Sequence, residues 1–154
     1  MTQPTQPIPE HRDGAIPYLS IRNAAEALDF YKKAFGAHEL LRLEHGGKIG
    51  HAEMNVGGAT VMLSEEFPEY DALSPQTVGG TPVVIHLYVT DVDAFTEKAI
   101  AAGLKVLRPV ADQFYGDRGG KFEDPFGHRW WIATHKEDVS PDEMKRRAAA
   151  LFGD

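Results

Sequence analysis

The sequence predicts an α+β fold built from two tandem βαβββ modules that form curved mixed sheets around a cleft, with a C-terminal helix added. Three observations carry this reading. The chain repeats itself at a nearly constant spacing: Gly36 and Gly103, each placed to end a helix, lie 67 residues apart, Ile21 and Val89 lie 68 apart, and the hairpins starting at Asn55 and Asp124 lie 69 apart. A fixed period of this kind marks a duplicated structural unit. The stretch T-P-V-V-I-H-L-Y-V, Thr81 to Val89, alternates, with Ile85, Leu87 and Val89 on one side and Val84, His86 and Tyr88 on the other. Each half also reads strand, helix, strand, strand, strand. Helices on one face of such a sheet leave the other face free to line a ligand hollow.

Taken in order, residues 1–13 are rich in Pro, Gln and Thr and read as a flexible N-terminal arm. Ile16 to Ile21 is the first strand, with Pro17 suited to its start. Asn23 is expected to cap the next helix, with Glu26 completing a capping box and Gly36 ending it. Ala24, Ala27, Leu28, Tyr31 and Phe35 form its apolar stripe. Strands follow at Leu40 to Leu43, Gly50 to Val56 and Ala59 to Ser64, joined by Gly46-Gly47 and Gly57-Gly58. Residues 67–80, with Pro68, Pro75 and Gly79-Gly80, form a connector between modules spanning about 14–66 and 81–135.

The second module repeats the order. Val83 to Val89 is a strand, Val92 to Ala102 a helix capped by Asp91 and ended by Gly103, and Leu104 to Leu107 a strand. Val110 to Gly120 reads as a loop, and Lys121 to Asp124 and Arg129 to Thr134 close the sheet across Pro125-Phe126-Gly127. The main domain covers 14–138, and residues 139–154 form a helix introduced by Ser140-Pro141-Asp142-Glu143, with Met144, Ala148, Leu151 and Phe152 on its apolar side.

Composition narrows the function. The 154 residues carry a net charge of -7 spread along the chain, which disfavours nucleic acid and anionic membrane as partners. There is no cysteine, so disulfides, thiolate metal sites and thiol nucleophiles are excluded. No apolar run approaches the ~20 residues of a membrane span and the N-terminus lacks a signal pattern, so a cytoplasmic location is expected. Ser20 and Ser64 lack a nucleophile elbow, and the glycine pairs do not sit between strand and helix as phosphate loops do.

Alternation alone gives the face expected to line the hollow: Tyr18, Ser20, His51, Glu53, Thr60, Met62, Ser64, His86, Tyr88, Arg129 and Trp131. Rings with a few hydrogen-bonding groups and one carboxylate suit a small-molecule pocket. The loop Gln113 to Gly120 adds Phe114, Tyr115, Asp117 and Arg118 at the rim. The expected ligand-binding set is Tyr18, Ser20, Glu53, Met62, His86, Tyr88, Phe114, Tyr115, Arg118 and Trp131. His51, Glu53 and His86 form an alternative set, two imidazoles and a carboxylate able to hold a divalent metal if they converge. Asp124 to His128 reads as hairpin chemistry, and His135 with Lys145, Arg146 and Arg147 as solvated surface.

The stretches Y-L-S-I-R-N-A-A-E-A-L-D-F-Y-K-K-A-F-G-A, Q-F-Y-G-D-R-G-G and D-P-F-G-H-R-W-W-I, in this element order, resemble the vicinal oxygen chelate superfamily. It contains glyoxalases, extradiol dioxygenases, fosfomycin-modifying enzymes and bleomycin-type resistance proteins, and the similarity is to its glyoxalase/bleomycin-resistance-like branch over roughly residues 16–135. The resemblance implies a homodimer and, in metal-dependent members, four ligand positions that fall here on Ile16, Met62, Val84 and Trp131. None of the four suits a hard divalent ion. The resemblance therefore implies a metal-independent binding protein without a cofactor, sequestering an aromatic, neutral or cationic small molecule. The alternative is a metal-dependent glyoxalase-like lyase or isomerase, or a dioxygenase, with relocated ligands.

Overall fold

The structure, a computed structural model, describes residues 2–153. The chain divides into two compact units, the first ending at Val78 and the second beginning at Gly79.

In the first unit, β1 (Tyr18–Ile21), α1 (Ala24–Phe35), β2 (His38–His45), β3 (Lys48–Val56) and β4 (Ala59–Glu65) form a four-stranded sheet of order β1-β4-β3-β2. β1 runs parallel to β4, and the other pairs are antiparallel. Leu19, Ile21, Ala52, Met54, Val61 and Leu63 are buried on one face with Ala24, Ala27, Leu28 and Tyr31 of α1. Fully burying one such leucine contributes about 1.5–3 kcal/mol. The alternation expected from the sequence is therefore the one the fold uses.

The cap of α1 differs from expectation. Asn23 sits in the left-handed region at φ 69° and its side chain caps nothing. A capping residue needs an extended backbone to aim its oxygen at the following amides. Glu65, at the end of β4, supplies the carboxylate instead, accepting from the Asn23 and Ala24 amides at 3.0 and 2.8 Å. At the other end Gly36 adopts φ 67° and closes the helix, its amide donating to Lys32 and that of Ala37 to Tyr31. The connector holds a short turn, Pro68–Tyr70, and α2 (Pro75–Val78).

The second unit repeats this plan with β5 (Val84–Tyr88), α3 (Val92–Ala102), β6 (Lys105–Asp112), β7 (Asp117–Glu123) and β8 (Arg129–His135), ordered β5-β8-β7-β6. Leu87, Phe122, Trp130 and Ile132 lie buried on the α3 side. Asp91 caps α3 as expected, accepting from the Ala94 amide at 3.1 Å. Thr134, 69 residues after Glu65, accepts from the Val92 amide at 2.8 Å and donates to the Val89 carbonyl. The end of the last strand thus closes the helix N-terminus in both units.

The stretch 110–120 is largely strand: β6 extends to Asp112 and β7 begins at Asp117, leaving a short hairpin loop at 113–116. Strand β6 is interrupted by register shifts between Val106 and Ala111 and carries Pro109, which hid it from pattern reading. The D-P-F-G turn is structural. Asp124 is 3% exposed and accepts from the Phe126 and His128 amides and from the Trp130 indole at 2.9–3.0 Å. α4 (Pro141–Phe152) follows, with Ser140 accepting from the Glu143 amide at 3.2 Å. Arg147 holds this helix to the 113–116 loop through the Phe114 carbonyl and Glu137. Leu151 and Phe152 are exposed. No helix among the described residues is long and apolar enough to cross a membrane.

Candidate functional site

On the face of the first sheet away from α1, strand register lines up Tyr18, Met62, Glu53 and Leu41 in one row. Tyr18 is half exposed, and its hydroxyl meets His51 Nδ1 at 2.8 Å. The same imidazole meets Glu53 Oε2 at 2.8 Å through Nε2. Glu53 is only 4% exposed, and its other oxygen, Oε1, is taken by the Arg12 guanidinium. A buried carboxylate without partners would protonate. Here the His51 hydrogen bond first, and then Arg12, hold the Glu53 carboxyl below its ordinary range against the effect of burial.

Arg12 comes from the segment expected to be a free arm. The Arg12 amide donates to the Pro9 carbonyl at 3.2 Å, closing a tight turn, and Thr60 Oγ1 donates to the His11 carbonyl at 2.9 Å. His11 takes the left-handed conformation at φ 61°, which costs a residue with a Cβ about 1 kcal/mol. Ser20 is half-buried, Met62 is half-buried in the row beside Glu53, and Ser64 turns its hydroxyl to the Glu65 carbonyl.

The corresponding face of the second sheet carries His86, Tyr88 and Trp131. His86 and Trp131 are register partners whose rings lie 6.2 Å apart and 29° from parallel. His86 is exposed, but Trp131 is 8% exposed, so it backs the imidazole rather than offering a free ring. Gly119 makes room for it: a Cβ there would stand 2.9 Å from the indole nitrogen and 2.8 Å from the Ala133 Cβ. Tyr88 is 57% exposed and donates to Asp117 Oδ2 at 2.7 Å, while His135 Nδ1 meets Asp117 Oδ1 at 2.7 Å. Because the neighbouring carboxylate accepts a hydrogen bond from the Tyr88 hydroxyl and favours its neutral form, the phenol is pushed up to about 12, with burial adding to the shift. A depression of about 450 Å3 opens here between Tyr88, Val89, Thr90, Thr134 and His135.

Three expectations are corrected. Arg118 points to the α3 side, where it binds Asp93 and Asp112 at 2.9–3.3 Å, because odd-numbered residues of β7 face the other way. Phe114 and Tyr115 pack edge-on at 5.2 Å, and Phe114 also meets Phe152 of α4, so the Phe114 ring is engaged with the C-terminal helix. His135, expected as plain surface, joins Tyr88 through Asp117 and reaches Asp138 at 2.8 Å. Glu53 lies on the helix-free face that alternation gives it, whereas Arg12 and the partnership of Asp117 depend on contacts distant in sequence.

The residues present do not fit a divalent ion. Both ring nitrogens of His51 and both oxygens of Glu53 already have protein partners. His86 belongs to the second unit and pairs with Trp131. Among the described residues no group of three or more His, Asp or Glu side chains is arranged to hold a metal.

Two βαβββ units, each with a helix on one sheet face and rings beside a carboxylate on the other, define a tandem-module α+β class. The chain belongs to the Glyoxalase/Bleomycin resistance protein/Dioxygenase superfamily, whose family model matches residues 16–132. An uncharacterised protein of Mycobacterium bovis is 44% identical over 133 residues, covering 84% of this chain and 88% of that one. The crystal structure of TioX from Micromonospora is similar at a TM-score of 0.64 and 26% identity, over 83% of this chain and all of that one. The fold also matches a mutant of the fosfomycin resistance protein FosX from Listeria monocytogenes, complexed with Mn(II) and a dihydroxypropylphosphonic acid. That match has a TM-score of 0.62 at 20% identity, covering 87% of this chain and 97% of FosX.

Proposed function

We propose that this protein is a metal-independent binding protein that sequesters an aromatic, positively charged small molecule. One observation carries the reading: on the helix-free face of each sheet, an exposed tyrosine is tied to a nearly fully buried carboxylate. Tyr18 reaches Glu53 through His51, and Tyr88 reaches Asp117 directly. A ring that can stack, held beside fixed negative charge, complements an aromatic cation. Each cation-over-ring contact contributes about 0.5–2 kcal/mol, so useful affinity needs several together. The apolar residues at the positions where the family resemblance puts metal ligands support binding over Lewis-acid chemistry, and the net charge of -7 suits a cationic ligand.

The protein would act as a homodimer, as the family resemblance implies, in the cytoplasm expected from its sequence. A calorimetric screen of aromatic amines against the protein treated with chelator tests the reading. Binding should survive chelation, and Tyr18→Ala or Tyr88→Ala should weaken a hit at least tenfold. If neither substitution, nor Trp131→Ala, weakens any hit, or if affinity disappears with the chelator, the assignment is wrong.

A further inference from the structure

We propose that the face around Glu53 recognises a guanidinium or amidinium group on an aromatic ligand, and that Arg12 is its built-in occupant, which the ligand must displace. The inference rests on the binding reading above and narrows it to one face and one functional group.

The two oxygens of Glu53 are filled differently. Oε2 is held by His51 from the same strand, whereas Oε1 is met by Arg12, from a stretch with no helix or strand. With Arg12 in place Glu53 is 4% exposed, its Oε2 held by the sheet through His51 and its Oε1 turned to the cation. The side chain found there is a guanidinium, whose planar fork of donors matches a carboxylate better than an ammonium does.

The occupant is weakly tethered. Residues 2–11 are exposed, including Ile8 at 60%, so the segment has no buried apolar anchor. Its attachments to the sheet are the Arg12–Glu53 pair and the hydrogen bond from Thr60 to the His11 carbonyl. The turn that delivers Arg12 also holds His11 in the left-handed region, so release relieves strain. Beside the guanidinium site, the half-exposed Tyr18 ring and the half-buried Met62 give an aromatic group a surface to cover. A tethered occupant of this kind competes as an internal ligand at high effective concentration.

Calorimetry at neutral pH with phenylguanidine as the probe tests this on the full chain, Arg12→Ala, Glu53→Gln and the double variant, each checked for folding by circular dichroism. Arg12→Ala should bind phenylguanidine at least tenfold more tightly than the unaltered protein, and adding Glu53→Gln should abolish that gain. In the unaltered protein, saturating phenylguanidine should speed amide exchange at residues 10–13. Equal affinity with and without Arg12, or a gain that survives Glu53→Gln, overturns the proposal. The neutral probe 2-naphthol separates the two readings. If Arg12→Ala binds 2-naphthol through Tyr18 but not phenylguanidine, the guanidinium assignment falls and aromatic binding stands; if neither probe binds, both fall.

Discussion

The helix-free faces of the two sheets occupy equivalent positions in one repeated plan and solve the same problem in different ways. Each holds a carboxylate that is nearly fully buried, Glu53 in the first and Asp117 in the second. Asp117 is satisfied from within its own sheet, by Tyr88 of β5 and His135 of β8. Glu53 takes half of its satisfaction from outside the sheet, from Arg12. A carboxylate neutralised by its own scaffold is a fixed structural element. One neutralised by a loosely held segment can exchange partners, which is why the first face is the better candidate for a charged ligand.

The comparison extends to the residue beside each row. Met62 corresponds to Trp131 at the 69-residue spacing, and pairing then matches Glu53 with Lys121 and His51 with Gly119. Where the first sheet carries an imidazole, the second must have no side chain, because Trp131 lies across that place. The largest effect is therefore expected from Gly119→Val, whose added carbons meet the Ile132 carbonyl at 2.9 Å as well as the indole. Overpacking of this kind costs about 1–3 kcal/mol. The mirror change, His51→Gly, should cost about 1 kcal/mol through the lost Tyr18–Glu53 bridge and a more flexible strand. Thermal unfolding of the two variants checks the order, and equal losses would break the equivalence.

A comparable effect is expected from Glu53→Ala, about 1 kcal/mol, since Arg12 is about a third exposed and regains water when released. Protease cleavage near Arg12 should accelerate while the sheet stays protected. No change in cleavage would mean the pair does not hold the segment.

The smallest effects are in pH dependence, and the two faces should respond with opposite sign. Glu53 is held below its ordinary 4.5, so its contribution is complete above that value and is lost as the pH falls through the lowered folded value. His135 is raised above its ordinary 6.5, first by Asp117 and then by Asp138. Its contribution is complete below 6.5 and is lost as the pH rises through the raised value. Hydrogen exchange, corrected for intrinsic rates, should show residues 10–13 loosening in acid and residues 136–139 loosening in base. Glu53→Gln and His135→Gln should each flatten one profile and leave the other.

Much of the fold was legible because the signals for it are local. Side chains in a strand alternate whatever the strand packs on, so the assignment of His86 and Tyr88 to one face and Leu87 to the other needed no tertiary information. Asp91, Ser140 and Gly36 act within one turn of chain, and the helix-ending glycine recurs in the second unit as Gly103. The position of Arg118 is not legible in the sequence, because Pro109 and the glycines of 110–120 read as loop and a loop has no alternation to follow.

The sequence by itself determined the duplication, the strand faces and the helix ends other than the start of α1, since alternation, caps and turn glycines act within a few residues and recur at a fixed spacing. Only the tertiary structure decided which charges meet. Glu53 finds Arg12 across 41 residues, Glu65 caps a helix 41 residues earlier, and Asp117 joins a tyrosine 29 residues before it to a histidine 18 residues after it. Those pairings depend on register and on a single left-handed turn at His11, and Coulombic and hydrogen-bonding partners are chosen by distance in space, which no local pattern encodes.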